Sequence, residues 1–326
     1  MIIDNKSILQ DNTLHMNEVE MDKKIKPILV TGSHRSGSTW VGQMLATAPH
    51  IAYIQEPFNI GINIGTIPTI LPLWFQNITD KEAELYKSIF EDLMQYKYPL
   101  INNINKTKSL RHAAQIVKGQ GLFLWYKMNN RIPLLKDPIA IFSAEWLSAT
   151  FDMNVVVLIR HPAAFCSSLK IKDLQFDFSN LQQESLINGR LLKYKDEIQE
   201  YSTNKKDLID QAILLWNIIH HTINIYKSKH PEWIFVRHED LSKNPIDEFQ
   251  DLYNKLNLQF TDTVKTRILK STGNHNPVEQ KSKNEFVRDS KKNIYNWKKR
   301  LTKQEIDYIK DETSEIAPLF YSETEW

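Results

Sequence analysis

Thr31-Gly32-Ser33-His34-Arg35-Ser36-Gly37-Ser38-Thr39-Trp40 is a glycine-punctuated stretch in a chain with only 9 glycines, and Gly32, Gly37 and Gly42 fall within eleven positions. Ahead of it, Pro27 to Val30 is a short apolar run of strand type. Behind it, Val41, Met44, Leu45 and Ala48 recur at helical core spacing, which predicts a helix over Ser38 to Ala48. Strand, glycine loop and helix start in that order can surround a phosphate with backbone N–H groups and the positive end of a helix. Gly32 and Gly37 keep the Walker A spacing and Thr39 falls on its Ser or Thr, but Ser38 replaces the Lys. Arg35 is the only cation in the loop. A nucleoside triphosphatase with neither that Lys nor an acid ending the Val155 to Ile159 run lacks the usual means of neutralising a γ-phosphate. The loop therefore reads as a cradle for a different nucleotide.

Outward from this unit, strand-type runs at Ile51 to Ile54, Ile132 to Leu135, Asn154 to Ile159 and Trp233 to Val236 alternate with longer amphipathic stretches. Helices are expected at Ile139 to Ala149, Pro162 to Leu169 and Leu208 to Lys227, then at Pro245 to Leu256 and Lys303 to Thr313. This alternation predicts the α/β class, a central parallel sheet of about five strands flanked by helices. The expected organisation is a flexible arm over 1–26 and a single domain over 27–326. Within that domain, Asn59 to Asn130 reads as a helical insertion carrying Trp74, Phe75, Tyr86, Tyr96, Tyr98, Trp125 and Tyr126. Those aromatics form either an acceptor pocket or the insertion's own core. The polar, basic stretch Gly273 to Asn293 reads as a surface loop or lid.

With 326 residues, 41 Lys plus Arg against 39 Asp plus Glu and a formal charge of +2, the chain has no general electrostatic reason to bind nucleic acid or coat an anionic membrane. Any anion site must be local. No apolar run approaches the roughly 20 residues of a membrane span, and 1–26 lacks the apolar core of a secretory signal. The single cysteine, Cys166, excludes a disulfide framework and a multi-cysteine zinc site, which suits a reducing, cytoplasmic setting.

A second anion site is expected at the carboxyl end of the Asn154 to Ile159 strand, where open α/β sheets place ligands. Arg160 stands there, and Ser168 follows eight residues on, nearly two turns into a helix opened by His161-Pro162. The two can converge on one phosphate; the alternative is a solvated Arg160.

Taken together, the loop and the Arg160 to Ser168 spacing resemble the sulfotransferases that use 3'-phosphoadenosine 5'-phosphosulfate (PAPS). Thr31 to Thr39 is similar to their 5'-phosphosulfate loop in its Arg-Ser-Gly form, and Arg160-His161-Pro162 with Ser168 is similar to their 3'-phosphate motif. His161 departs from the Asp or other polar residue usual there. Further landmarks follow in order: Glu56-Pro57-Phe58, Leu135-Lys136-Asp137-Pro138, Arg237-His238-Glu239-Asp240-Leu241, and Trp297-Lys298 with Leu301. The resemblance implies a P-loop-like fold and donor binding by Ser33, His34, Arg35, Ser36, Gly37, Ser38, Thr39, Trp40, Arg160, Ser168, Arg288 and Trp297, with no metal.

Sulfuryl transfer resembles phosphoryl transfer, so the protein mostly positions groups and neutralises charge. Arg35, with the loop amides and the Ser38 and Thr39 hydroxyls, is expected on the 5'-phosphate. Lys136 is the candidate for the leaving oxygen, a role that the Lys of a similar Lys-Asp-Pro has in tyrosylprotein sulfotransferases; its alternative is a lysine paired with a neighbouring carboxylate. Glu56 is the candidate base, with a helix-entry or salt-bridge glutamate as the alternative, and His112 and His221 as fallback bases. His220 and His221 point to different faces of one helix and make no metal site. The expected acceptor is a hydroxyl, or an amine, of a small molecule or carbohydrate. A small-molecule phosphotransferase is the competing class.

Overall fold

The computed structural model describes residues 25–61, 71–99, 103, 109–278 and 288–326. Nearly all of the expected N-terminal arm, and 279–287 of the expected lid, lie outside them. Five strands form the sheet: β1 (Ile28–Gly32), β2 (Ile51–Gln55), β3 (Ile132–Lys136), β4 (Asn154–Ile159) and β5 (Ile234–Arg237). All pair in parallel, in the order β2-β3-β1-β4-β5. Four of the five run past the last apolar residue onto Gly32, Gln55, Lys136 and Arg237. The ladder explains this, because Gly32 pairs with Leu158, Gln55 with Lys136 and Arg237 with Ile159. The residues that apolar patterning leaves out are therefore those at the carboxyl edge of the sheet.

The helices that build the two faces and frame the site include α1 (Ser38–Leu45), α2 (Asp80–Met94), α3 (Leu110–Met128), α4 (Ala144–Phe151), α5 (Pro162–Lys172), α6 (Leu208–Lys229), α7 (Pro245–Lys255), α8 (Asp262–Thr272) and α9 (Lys303–Glu312). On one face of the sheet, Val41, Met44 and Leu45 of α1 pack with Ile28, Val30, Leu134, Val156 and Leu158, and α7 and α8 cover them. On the other face, α2, α3, α4, α5 and α6 close over Leu29, Leu135, Val155 and Val157. Phe75, Tyr86, Tyr96 and Tyr126 of the 59–130 stretch belong to this second core, while Trp125 stays half exposed. The helix expected over Ile139 to Ala149 is a 3-10 turn, Pro138–Ser143, followed by α4. The Asp137 side chain caps that turn by accepting from the Ile139 N–H at 3.0 Å.

From β1 the chain moves to β2 and β3 on one side, then crosses to β4 on the other. The carboxyl ends of β1, β3 and β4 thus meet where the strand order reverses, the place in such sheets where a ligand crevice opens. At this point Gly32 has φ 126°, and a Cβ there would sit 2.3 Å from the Leu158 carbonyl oxygen. Only glycine fits between the two strands as the loop departs.

Candidate active site

The loop leaves β1 with Ser33 N–H donating to the Leu158 carbonyl at 3.2 Å, and Ser36 N–H turns back to the Ser33 carbonyl at 3.2 Å. Arg35 (φ 63°) and Gly37 (φ 86°) are both left-handed. Alternating handedness of this kind curls backbone N–H groups into a concave anion-binding nest, here set against the unpaired first-turn amides of α1. Ser33, Ser36 and Ser38 are buried, so the loop is packed in place rather than draped over the surface. Trp40 points inward: its indole N–H donates to Ser271 Oγ at 3.1 Å and its ring meets His238 edge-on at 5.8 Å.

The two sites read separately from the sequence touch each other. Arg35 Nε donates to Ser168 Oγ at 3.1 Å, and Arg160 Nη1 donates to the Arg35 carbonyl oxygen at 2.7 Å. Trp216 fixes the backbone of Arg160 by donating to its carbonyl at 2.9 Å. Glu239 accepts from the His161 N–H at 3.2 Å and from the Tyr321 hydroxyl at 2.9 Å. Behind this, His161 stacks on Trp297 with centroids 5.0 Å apart, which places Trp297 in the wall supporting Arg160. Burial pulls Arg160 down to about 10, against the pull of Glu239 and helped by the charges of Arg35 and Arg288. Burial and then the charge of Arg300 lower Arg35 as well. Four guanidinium groups therefore influence one another around the loop. Arg160 Nε is buried without a hydrogen-bond partner, which leaves a donor for an anion at this strand end. Arg300, three residues after Trp297, was not legible as a site residue, because a basic run near a chain end usually signals only a solvated surface.

Glu56 and Lys136 come together at the ends of β2 and β3. The Lys136 ammonium, fully buried, donates to Glu56 Oε1, and Asn59 Nδ2 donates to Glu56 Oε2 at 2.7 Å. Glu56 itself is left-handed (φ 45°), and its N–H donates to the Lys136 carbonyl at 2.8 Å. The Asp137 carboxylate clamps this turn to β3 by accepting from the Phe58 N–H at 2.6 Å. Burial pushes Asp137 up to about 7, with its two backbone hydrogen bonds and Lys136 pulling the other way and Glu56 adding to the rise. The alternatives open for Lys136 and Glu56, a paired lysine and a salt-bridged glutamate, describe the pair as it stands. The same pairing sets a carboxylate and a cation side by side at the sheet's edge.

The histidines lie elsewhere or lack charge. His221 packs edge-on to Tyr194, His220 stacks on Trp216, and His112 lies in the first turn of α3. Burial pushes His34 down to about 4 and His161 to about 3, and holds His238 well below its ordinary value. In the unfolded chain each returns toward the ordinary 6.5 and binds protons that the native state refuses. Their contribution to stability is complete above about pH 6.5 and is lost as pH falls toward 4. Asp137, raised from 3.8, runs the opposite way but is a single group. The melting temperature is accordingly expected to fall between pH 6.5 and 4 in calorimetry; an unchanged value across that window would contradict the neutral-histidine assignment.

Comparison with known proteins identifies the family. A family described as "Sulfotransferase family" matches residues 27–262, from β1 to the start of α8. Carbohydrate sulfotransferase 1 of Danio rerio is 32% identical over 329 residues, covering 86% of this chain and 74% of the relative. Among solved structures, the sulfotransferase domain from the curacin biosynthetic pathway aligns at 15% identity and TM-score 0.45, over 89% of this chain and 98% of that one. The sulfotransferase domain of the Synechococcus PCC 7002 olefin synthase aligns at 14% identity and TM-score 0.46, over 92% and 97%. On the family match and the curated relative together, the chain belongs to the sulfotransferase family.

Proposed function

We propose that this sulfotransferase takes its sulfuryl group from PAPS and passes it to a carbohydrate hydroxyl. The observation that carries the donor assignment is the direct contact between the two anion sites, Arg35 with Ser168 and Arg160 with the Arg35 carbonyl. One nucleotide bearing phosphates on both its 3' and 5' oxygens suits adjoining cationic sites at the ends of β1 and β4. The buried, unpartnered Arg160 Nε fits such an anion. The carbohydrate assignment is supported by the named relative, 32% identical across most of this chain.

When bound, the donor supplies a sulfuryl group on a phosphate leaving group. Arg35, the loop amides and the hydroxyls of Ser38 and Thr39 hold the 5' side; Arg160 and Ser168 hold the 3' side, with Arg288 and Arg300 adding positive charge. Lys136, dry and fixed by its pairing, offers an ammonium for charge that builds on the leaving oxygen. Glu56 takes the proton from the acceptor hydroxyl, oriented by Asn59 and by the turn that Asp137 clamps.

The donor reading is tested by thermal shift. At about 100 times its dissociation constant, a ligand adds about 2.7 kcal/mol of stability. Adenosine 3',5'-bisphosphate is expected to raise the melting temperature well above AMP at equal concentration, and Arg160→Ala with Ser168→Ala is expected to erase the difference. Equal shifts for the two nucleotides with the native protein would refute a 3'-phosphate site.

A further inference from the structure

Helix α3 is apolar on two faces. Ile116, Phe123 and Tyr126 are buried on the inner one. On the outer one, Leu110, Val117, Leu124 and Met128 are 91, 72, 52 and 74% exposed, and Trp125 beside them is 47% exposed. With Ala114 and Gly121 between them, these residues occupy an arc of about 100° on the helical wheel, as wide as a stripe that normally faces a core. Five large exposed apolar side chains within one arc form a continuous patch rather than scattered exposure.

The charge around this patch is one-sided. Arg111 and Lys118 border the arc on one edge and Lys127 on the other, and the Arg131 guanidinium lies 4.4 Å over the Trp125 ring. From Leu110 to Arg131 the sequence has four Lys and Arg and no Asp or Glu, although the whole chain is nearly balanced at 41 against 39. Apolar side chains flanked on both edges by long cations fit a surface with anionic groups above a hydrocarbon layer. The apolar side chains enter the layer, the lysine and arginine stems lie along it with their charges at the anions, and tryptophan sits at the boundary. A second copy of the chain fits poorly, because two such helices would bring like charges together. No helix among the described residues is long and apolar enough to cross a membrane, so α3 lies along the surface.

We propose that α3 is a docking helix for an anionic lipid bilayer. It runs directly into β3, the strand that ends on Lys136, so the docked element and a strand of the site are consecutive in the chain.

The test is flotation of the whole protein with vesicles of phosphatidylcholine alone or with added phosphatidylserine. Binding is expected only when phosphatidylserine is present and is expected to weaken with salt. Leu124→Glu with Met128→Glu should reduce partitioning at least about tenfold, and Lys118→Gln or Lys127→Gln by about fivefold each. All four residues are exposed, so melting temperature and the bisphosphate shift should be retained. The lysine variants and the salt series keep the test decisive if the double glutamate variant folds poorly. Equal binding to both vesicles, no binding, or a dimer abolished by Leu124→Glu would overturn the proposal.

Discussion

Glu56→Gln is expected to slow transfer by about 10²-fold or more while leaving donor affinity close to native. The amide keeps the shape of the side chain and its oxygen can still accept from Lys136, although its NH2 cannot accept from Asn59 as the carboxylate does; the backbone tie of residue 56 to the Lys136 carbonyl should persist. What the amide cannot do is take a proton from the attacking hydroxyl. Lys136→Ala should also slow the chemical step, for a different reason, by removing the buried charge beside the leaving oxygen. A donor with a better leaving group should therefore partly rescue Lys136→Ala and leave Glu56→Gln slow. Single-turnover rates with the two variants separate these roles. Near-native turnover by Glu56→Gln would retire Glu56 as the base.

Arg35→Ala is expected to weaken adenosine 3',5'-bisphosphate binding on the order of 10²-fold, the scale for removing one charged hydrogen-bond donor to a phosphate. Two effects combine. The guanidinium that reaches Ser168 is lost, and Ser168 is left without its neighbour. The Arg35 carbonyl, which holds Arg160, stays in place, so the 3' side should survive in part and discrimination against AMP should remain. Because arginine is already left-handed here, alanine adds no new class of backbone strain. Isothermal titration of native and variant protein measures both expectations. A variant that binds the bisphosphate as tightly as native would show that Arg35 does not hold the donor.

The sheet was legible because each strand is a short apolar run between turn signals, and the loop because three glycines cluster in a glycine-poor chain. Arg160 and Ser168 could be set near one end of the sheet from local order, since one ends a strand and the other lies on the helix that follows, but that both meet Arg35 could not. The surroundings of Glu56 could not be read this way. Asp137 clamps Phe58 across 79 positions and Glu239 meets Tyr321 across 82, contacts that no local pattern announces. The short helices between Asp173 and Asn204, and α8, were also missed. Glu184–Ile187 and Leu192–Tyr194 complete about one turn each, too little for a periodic signal, Lys195–Thr203 buries only Ile198, and α8 buries only a narrow stripe around Val264 and Ile268. The aromatics of the insertion were ambiguous because core and pocket use the same residue types, and packing made most of them core.

The proposed reaction is metal-independent sulfuryl transfer from PAPS to a carbohydrate. It is tested most directly by incubating the native protein with PAPS in excess EDTA and a panel of saccharides and simple alcohols, with mass spectrometry of the products. The expected result is a saccharide heavier by one sulfuryl group, formed together with adenosine 3',5'-bisphosphate and absent with Glu56→Gln. No sulfated product from any acceptor, or transfer of a phosphoryl group from ATP only when magnesium is added, would contradict it.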